Sequence, residues 1–169
     1  MEATIAYWMR WPSVEVFLKT YTWGWSLCEI FHFIGLILLF GAVGSFDLRM
    51  LGLAKGLPLN VLNRLVPWGV FGFILCVVTG LIFVTGIESN IGTHPYVVLK
   101  TNEWLQAKLI LILLAGVNLA AFHLTGMSKV IETLKPYDDA PRLAKIMGGL
   151  SIALWLGVVY CGRLIPWAL

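Results

Sequence analysis

Glu29 and His32 lie one helical turn apart in an otherwise apolar run, and ionisable groups inside a membrane are candidates for function. At 100° per residue Leu36, Phe40, Val43 and Asp47 share their side, so an inward face is expected from Glu29 to Asp47. The ExxH spacing is that of di-iron carboxylate bundles, which need it twice with two further carboxylates; the chain has it once. Lys108, Asn118 and His123 mark another apolar stretch, with Asn118 and His123 on opposite flanks of Lys108. His94 sits in a loop as Thr93-His94-Pro95-Tyr96, held extended by the proline.

Three chemistries fit these residues. Imidazoles on facing helices are a common way to hold b-type haem. His32 and His123, or His32 and His94, are then the ligands, with Glu29 orienting an imidazole and Lys108 neutralising a propionate. At 1.5 Å per residue, His32 and His123 are expected to differ in depth by roughly 8 Å in a core about 30 Å thick. The protein is then a redox subunit passing electrons between quinol and a periplasmic partner. The second chemistry is copper: Cys28 and His32 are an i,i+4 pair, thiolate with imidazole suits Cu(I), and Glu29 adds a carboxylate. That describes a carrier or permease. In the third, no cofactor is bound: Glu29 and His32 hydrogen-bond each other and fix helix packing in a structural subunit of a homo-oligomer or larger membrane complex.

Other classes lack their motifs. There is no HExxH or GxSxG, and neither a P-loop nor a dinucleotide-binding glycine pattern. Net charge is only +3 with no Lys/Arg cluster, so nucleic acid is not an expected partner. Cys28, Cys76 and Cys161 are odd in number and form no CxxC, which predicts neither a disulfide framework nor a zinc site.

These residues must be positioned by membrane helices. Of 169 residues 59% are hydrophobic and 12% charged, and mean hydropathy is +0.86; a soluble domain carries about twice that charge. Charge-free runs at 30–46, 65–87, 109–128 and 146–162 are too long and unbroken for barrel strands. They predict an all-α integral membrane protein, an up-down four-helix bundle in one domain, with spans at 22–46, 66–87, 105–128 and 143–165. Pro67-Trp68 opens the second helix, Thr101 is the expected cap of the third, and short interfacial helices are expected at 13–22 and 59–66. Small residues, among them Gly35, Gly72, Ala115 and Gly148, mark helix contacts. Met1 to Pro12 lacks the features of a removable signal peptide, so the first span is expected to direct insertion. Loops one and three hold seven Lys and Arg and the opposite side five, which puts both termini outside.

Glu29-Ile-Phe-His32 with Gly35, then Gly41 and Asp47-Leu48-Arg49-Met50-Leu51-Gly52-Leu53, resembles an uncharacterised family of small four-helix bacterial inner-membrane proteins. Pro67-Trp68, Gly72-Phe73, Thr79-Gly80 and the stretch from Lys108 to Ala115-Gly116-Val117-Asn118 extend the likeness over roughly residues 20 to 125. That family is more distantly similar to CopD-like membrane proteins associated with copper handling. The resemblance implies the fold and a bacterial inner membrane, and draws attention to Asp47 and Arg49. Physically these two are expected as a membrane-edge anchor, with Arg49 reaching lipid phosphate and Asp47 pairing with it or capping loop one.

Overall fold

The structure is a computed structural model that describes residues 10–86 and 94–168. Met1 to Met9, on which the signal-peptide reading mostly rests, and the Glu88 boundary lie outside the described residues.

Among the described residues four helices are long and apolar enough to cross a membrane: Trp23–Met50, Val61–Thr85, Glu103–Leu124 and Arg142–Ala168. Their apolar side chains turn outward: Ile37 is 70% and Leu113 67% exposed, which water would penalise and lipid accepts. The protein is an all-helical, multi-pass membrane bundle.

In chain order the elements are α1 (Pro12–Thr20), α2 (Trp23–Met50), α3 (Leu59–Asn63), α4 (Val66–Thr85), α5 (Pro95–Thr101), α6 (Glu103–Leu124), α7 (Met127–Glu132) and α8 (Arg142–Leu164), ending in a 3₁₀ turn, Ile165–Ala168. Helices α2, α4, α6 and α8 cross; α1 and α5 lie at one end of the bundle, α3 and α7 at the other. Proline occupies the first turn of α1, α4 and α5, where its missing N–H has no intrahelical acceptor to lose. The cap of α6 is Asn102, not Thr101. The Asn102 side-chain oxygen accepts from Leu105 N–H at 2.9 Å and its amide donates to Ile165 O at 3.0 Å, whereas the Thr101 hydroxyl donates back to Val97 O at 2.8 Å. Gly126, at φ 74°, ends α6 by taking the left-handed conformation, and α7 follows it.

The most extensive interfaces join α2 to α4 and α6 to α8, and α2 also packs on α8. The α2/α4 seam follows a spacing of alternating three and four residues, the coiled-coil period. On α2 it runs Cys28, His32, Gly35, Leu39, Ala42, and on α4 Gly69, Gly72, Cys76, Thr79, Phe83. Gly35 and Gly72 let the backbones meet. A Cβ on Gly35 would stand 2.7 Å from Cys76 Sγ and 2.8 Å from Gly72 O, whereas one on Gly41 meets nothing within 4 Å. Gly35→Ala should therefore lower resistance to denaturation in a detergent titration by about 1–3 kcal/mol, the usual range for overpacking. Gly41→Ala is the matched control and should lose nothing.

At the α1/α5 end, Phe17, Tyr21 and Trp23 stack with centroids 5.2–5.7 Å apart, an aromatic group suited to the membrane interface. Beneath them the buried Glu15 accepts two hydrogen bonds from the Arg10 guanidinium, at 2.9 and 3.2 Å. The Arg10 hydrogen bond outweighs desolvation and holds the Glu15 carboxyl below its ordinary value of 4.5. A depressed carboxylate stabilises the fold above the unfolded value and loses that contribution as pH falls through the folded one. Protease accessibility of α1 should therefore rise on acidification below about pH 4, and this rise should vanish in Glu15→Gln.

Candidate functional site

His32 is half-buried on α2, facing α4. Its Nδ1 lies 2.7 Å from Thr79 Oγ1, and the single Thr79 hydroxyl proton is directed at Leu75 O, 2.7 Å away in the preceding turn. With that proton committed, Thr79 accepts from His32, so Nδ1 carries the imidazole proton and Nε2 presents its lone pair. Phe83 fixes the ring from the side, edge-on at 5.4 Å between centroids. The thiols at this level serve the helix seam: Cys28 Sγ donates to Thr79 O at 3.7 Å and Cys76 Sγ to His32 O at 3.6 Å.

Across the bundle from His32 stands Lys108 of α6. Its ammonium lies over Gly162 of α8, where a Cβ would be 3.2 Å from Nζ, and is within electrostatic range of His32, Cys76 and Cys161. No carboxylate pairs with it among the described residues. An imidazole with a free Nε2 and a lysine with no carboxylate partner among the described residues thus lie within electrostatic range of each other, in the half of the bundle nearer α1 and α5.

The other candidates lie elsewhere. Glu29 is exposed and accepts from Trp25 Nε1 at 3.0 Å, so it neither pairs with His32 nor orients it; the expected inward face begins outside the seam. The reason is that α8 covers that side of α2 only near the opposite end, where Gly148 sits against Asp47 O and Met50. Cys28 and His32 both meet Thr79, one at its carbonyl and the other at its hydroxyl, whereas Glu29 turns to Trp25. Among the described residues no group of three or more His, Cys, Asp or Glu is arranged to hold a metal ion. His94 caps α5, its Nδ1 accepting from Tyr96 N–H at 3.2 Å, which leaves the proton on Nε2. His123 is exposed at the end of α6 and donates from Nδ1 to Leu119 O at 2.9 Å.

Depth separates His123 from His32 further than the 8 Å expected. Phe122 packs on Phe46 with centroids 6.2 Å apart, and Phe46 is fourteen residues along α2 from His32, about 21 Å at the helical rise. Two imidazoles on one iron must approach within a few ångströms, so these two do not share one.

At the α3/α7 end, Asn118 donates to Met147 O at 3.0 Å and ties α6 to α8. Arg49, 2% exposed, donates to Leu57 O (3.1 Å), Asp138 O (3.2 Å) and Lys135 O (3.3 Å). It is a buried clamp between two loops rather than an anchor to lipid phosphate. Asp47, two residues away, points elsewhere and is 4% exposed; Ser151 of α8 interacts with its carboxyl, and Oδ2 has no hydrogen-bond partner.

Thr79, Cys76 and Asn102 are not among the site residues expected from the sequence. The first two were detectable from the three-and-four spacing through Gly69, Gly72, Cys76, Thr79 and Phe83, which puts a hydroxyl on the same stripe as the small residues. No protein-family model, curated protein or solved structure matches the chain.

Proposed function

We propose that the protein is a membrane redox subunit that holds b-type haem through His32 and passes electrons between quinol in the bilayer and a partner at its outer face. The observation that carries this reading is the imidazole with Nδ1–H committed to Thr79 and Nε2 free, the arrangement in which a histidine ligates a metal. Haem bound there supplies one-electron chemistry at a potential set by its axial ligation.

The chain's own residues have distinct parts in this scheme. Thr79 holds the tautomer and ring orientation of His32. Lys108, within electrostatic range of His32, would supply a positive charge for a propionate. His94, protonated on Nε2 in its cap, and His123, too deep, are not placed to join it, so His32 is the histidine that would hold the haem. A non-catalytic structural subunit is the second reading, favoured by the hydrogen bonds that tie Arg49, Asn102 and Asn118 to backbone carbonyls. It leaves the free Nε2 of His32 without a purpose.

By the Lys and Arg asymmetry and the family resemblance, the setting is a bacterial inner membrane with both termini outside, so α1, α5 and His32 lie toward the outer face. The test is the visible spectrum of protein purified from haem-supplemented cells, compared with His32→Ala.

A further inference from the structure

The groove between α2 and α8 at the α3/α7 end is independent of His32. It has a volume of about 280 Å³, is walled by Phe40, Val43, Gly44 and Trp155, and includes Asp47 in its lining. Its rim residues Leu48 and Leu156 are 42% and 58% exposed, so it opens on the side the bundle turns to lipid. Three features narrow its occupant.

First, Asp47 is more than nine-tenths buried with Oδ2 unpartnered; such an atom loses its hydration without compensation unless a donor reaches it. Ser151 interacts with the carboxyl yet leaves Oδ2 unpartnered, and the nearby Ser45 hydroxyl donates to Gly41 O. Second, the wall is aromatic, with Phe40 and Trp155 edge-on at 6.4 Å, a setting that suits a flat ring. Third, the volume is just under the ~300–1,000 Å³ of ordinary small-molecule sites, enough for a single substituted ring whose apolar tail stays in the bilayer.

We infer that this groove binds the ring of a membrane hydroquinone, with a ring hydroxyl donating to the Asp47 carboxyl. The choice of hydroquinone rests on the redox reading above; the groove and its orphan acceptor do not.

The experiment is equilibrium binding of radiolabelled decyl-hydroquinone to the protein in phosphatidylethanolamine/phosphatidylglycerol nanodiscs, with empty discs giving the partition background. Saturable binding is expected at one site per chain. Gly44→Leu places a side chain in the groove where a Cβ meets nothing within 4 Å, so it should fold normally and weaken binding at least about tenfold. Asp47→Leu removes the acceptor at similar size and should weaken it comparably. His32→Ala should bind as the parent does. Binding no greater than in empty discs, or binding that Gly44→Leu leaves unchanged, would overturn the proposal and leave the groove to lipid acyl chains. A His32→Ala protein that binds hydroquinone while the parent carries no haem would sink the haem reading and leave this one standing.

Discussion

Replacing Arg49 with methionine is expected to remove about 3–5 kcal/mol of stability and to loosen both loops at the α3/α7 end. The guanidinium is 2% exposed and donates to three carbonyls, of Leu57, Lys135 and Asp138. Each hydrogen bond from a charged donor contributes about 1.5–3 kcal/mol, and the losses are not additive. Without Arg49 those carbonyls lose their donor within two loops where Ala54 (φ 51°) and Tyr137 (φ 72°) hold left-handed backbone. Such conformations persist only where neighbours hold them. One remaining tie is Tyr137 N–H to Lys55 O at 2.9 Å; another is Asp139, bridging Lys55 at 2.6 Å and Lys145 at 3.2 Å. The second is exposed and weak in salt. Lysine at position 49 should recover only part of the loss, because a compact ammonium cannot span three acceptors set for a planar fork. Detergent-titration unfolding and limited proteolysis at 51–58 and 133–141 measure both effects. Equal stability of Arg49→Met and the parent would refute the clamp.

The second large effect is chemical. His32→Ala should leave no haem on a folded bundle, because no other described imidazole is both metal-competent and at that depth. Thr79→Val tests positioning separately. It keeps the shape of the side chain and removes the acceptor for Nδ1–H, so haem retention should fall about 10–100-fold, the midpoint potential should shift, and Thr79→Ser should restore both. A purely structural role for Thr79 predicts lost stability with an unshifted potential in whatever haem remains. Haem retained at full occupancy in His32→Ala would remove His32 as ligand.

Most of the fold follows from where charge is missing. The four charge-free runs locate the spans to within a few residues, because a residue in lipid must satisfy its backbone in a helix whatever its neighbours do. The first span runs four residues past the 46 expected from charge. Asp47 and Arg49 look like the edge of a membrane when charge is counted, yet α2 continues to Met50. Contacts with α8 and two loop backbones bury both groups, contacts that no local pattern encodes. The same limitation displaced Glu29. A 100° wheel places it with His32, but which arc of α2 is covered depends on where α8 crosses. Thr79 carries no expected site role because an uncharged hydroxyl inside an apolar run looks like filler until the seam's spacing is traced. Asn102 outcompeted Thr101 as cap because its amide also reaches Ile165 O, a partner sixty-three residues away.

The most direct test of the central claim, that the Nε2 of His32 is a haem ligand, is the absorption spectrum of detergent-purified protein before and after dithionite. The parent should show a Soret band that shifts on reduction, with α-bands of b-type haem appearing at one haem per chain, and His32→Ala, equally folded by circular dichroism, should show neither. A flat visible spectrum from well-folded parent protein made with ample haem precursor would contradict the account and leave His32 and Thr79 as a packing pair.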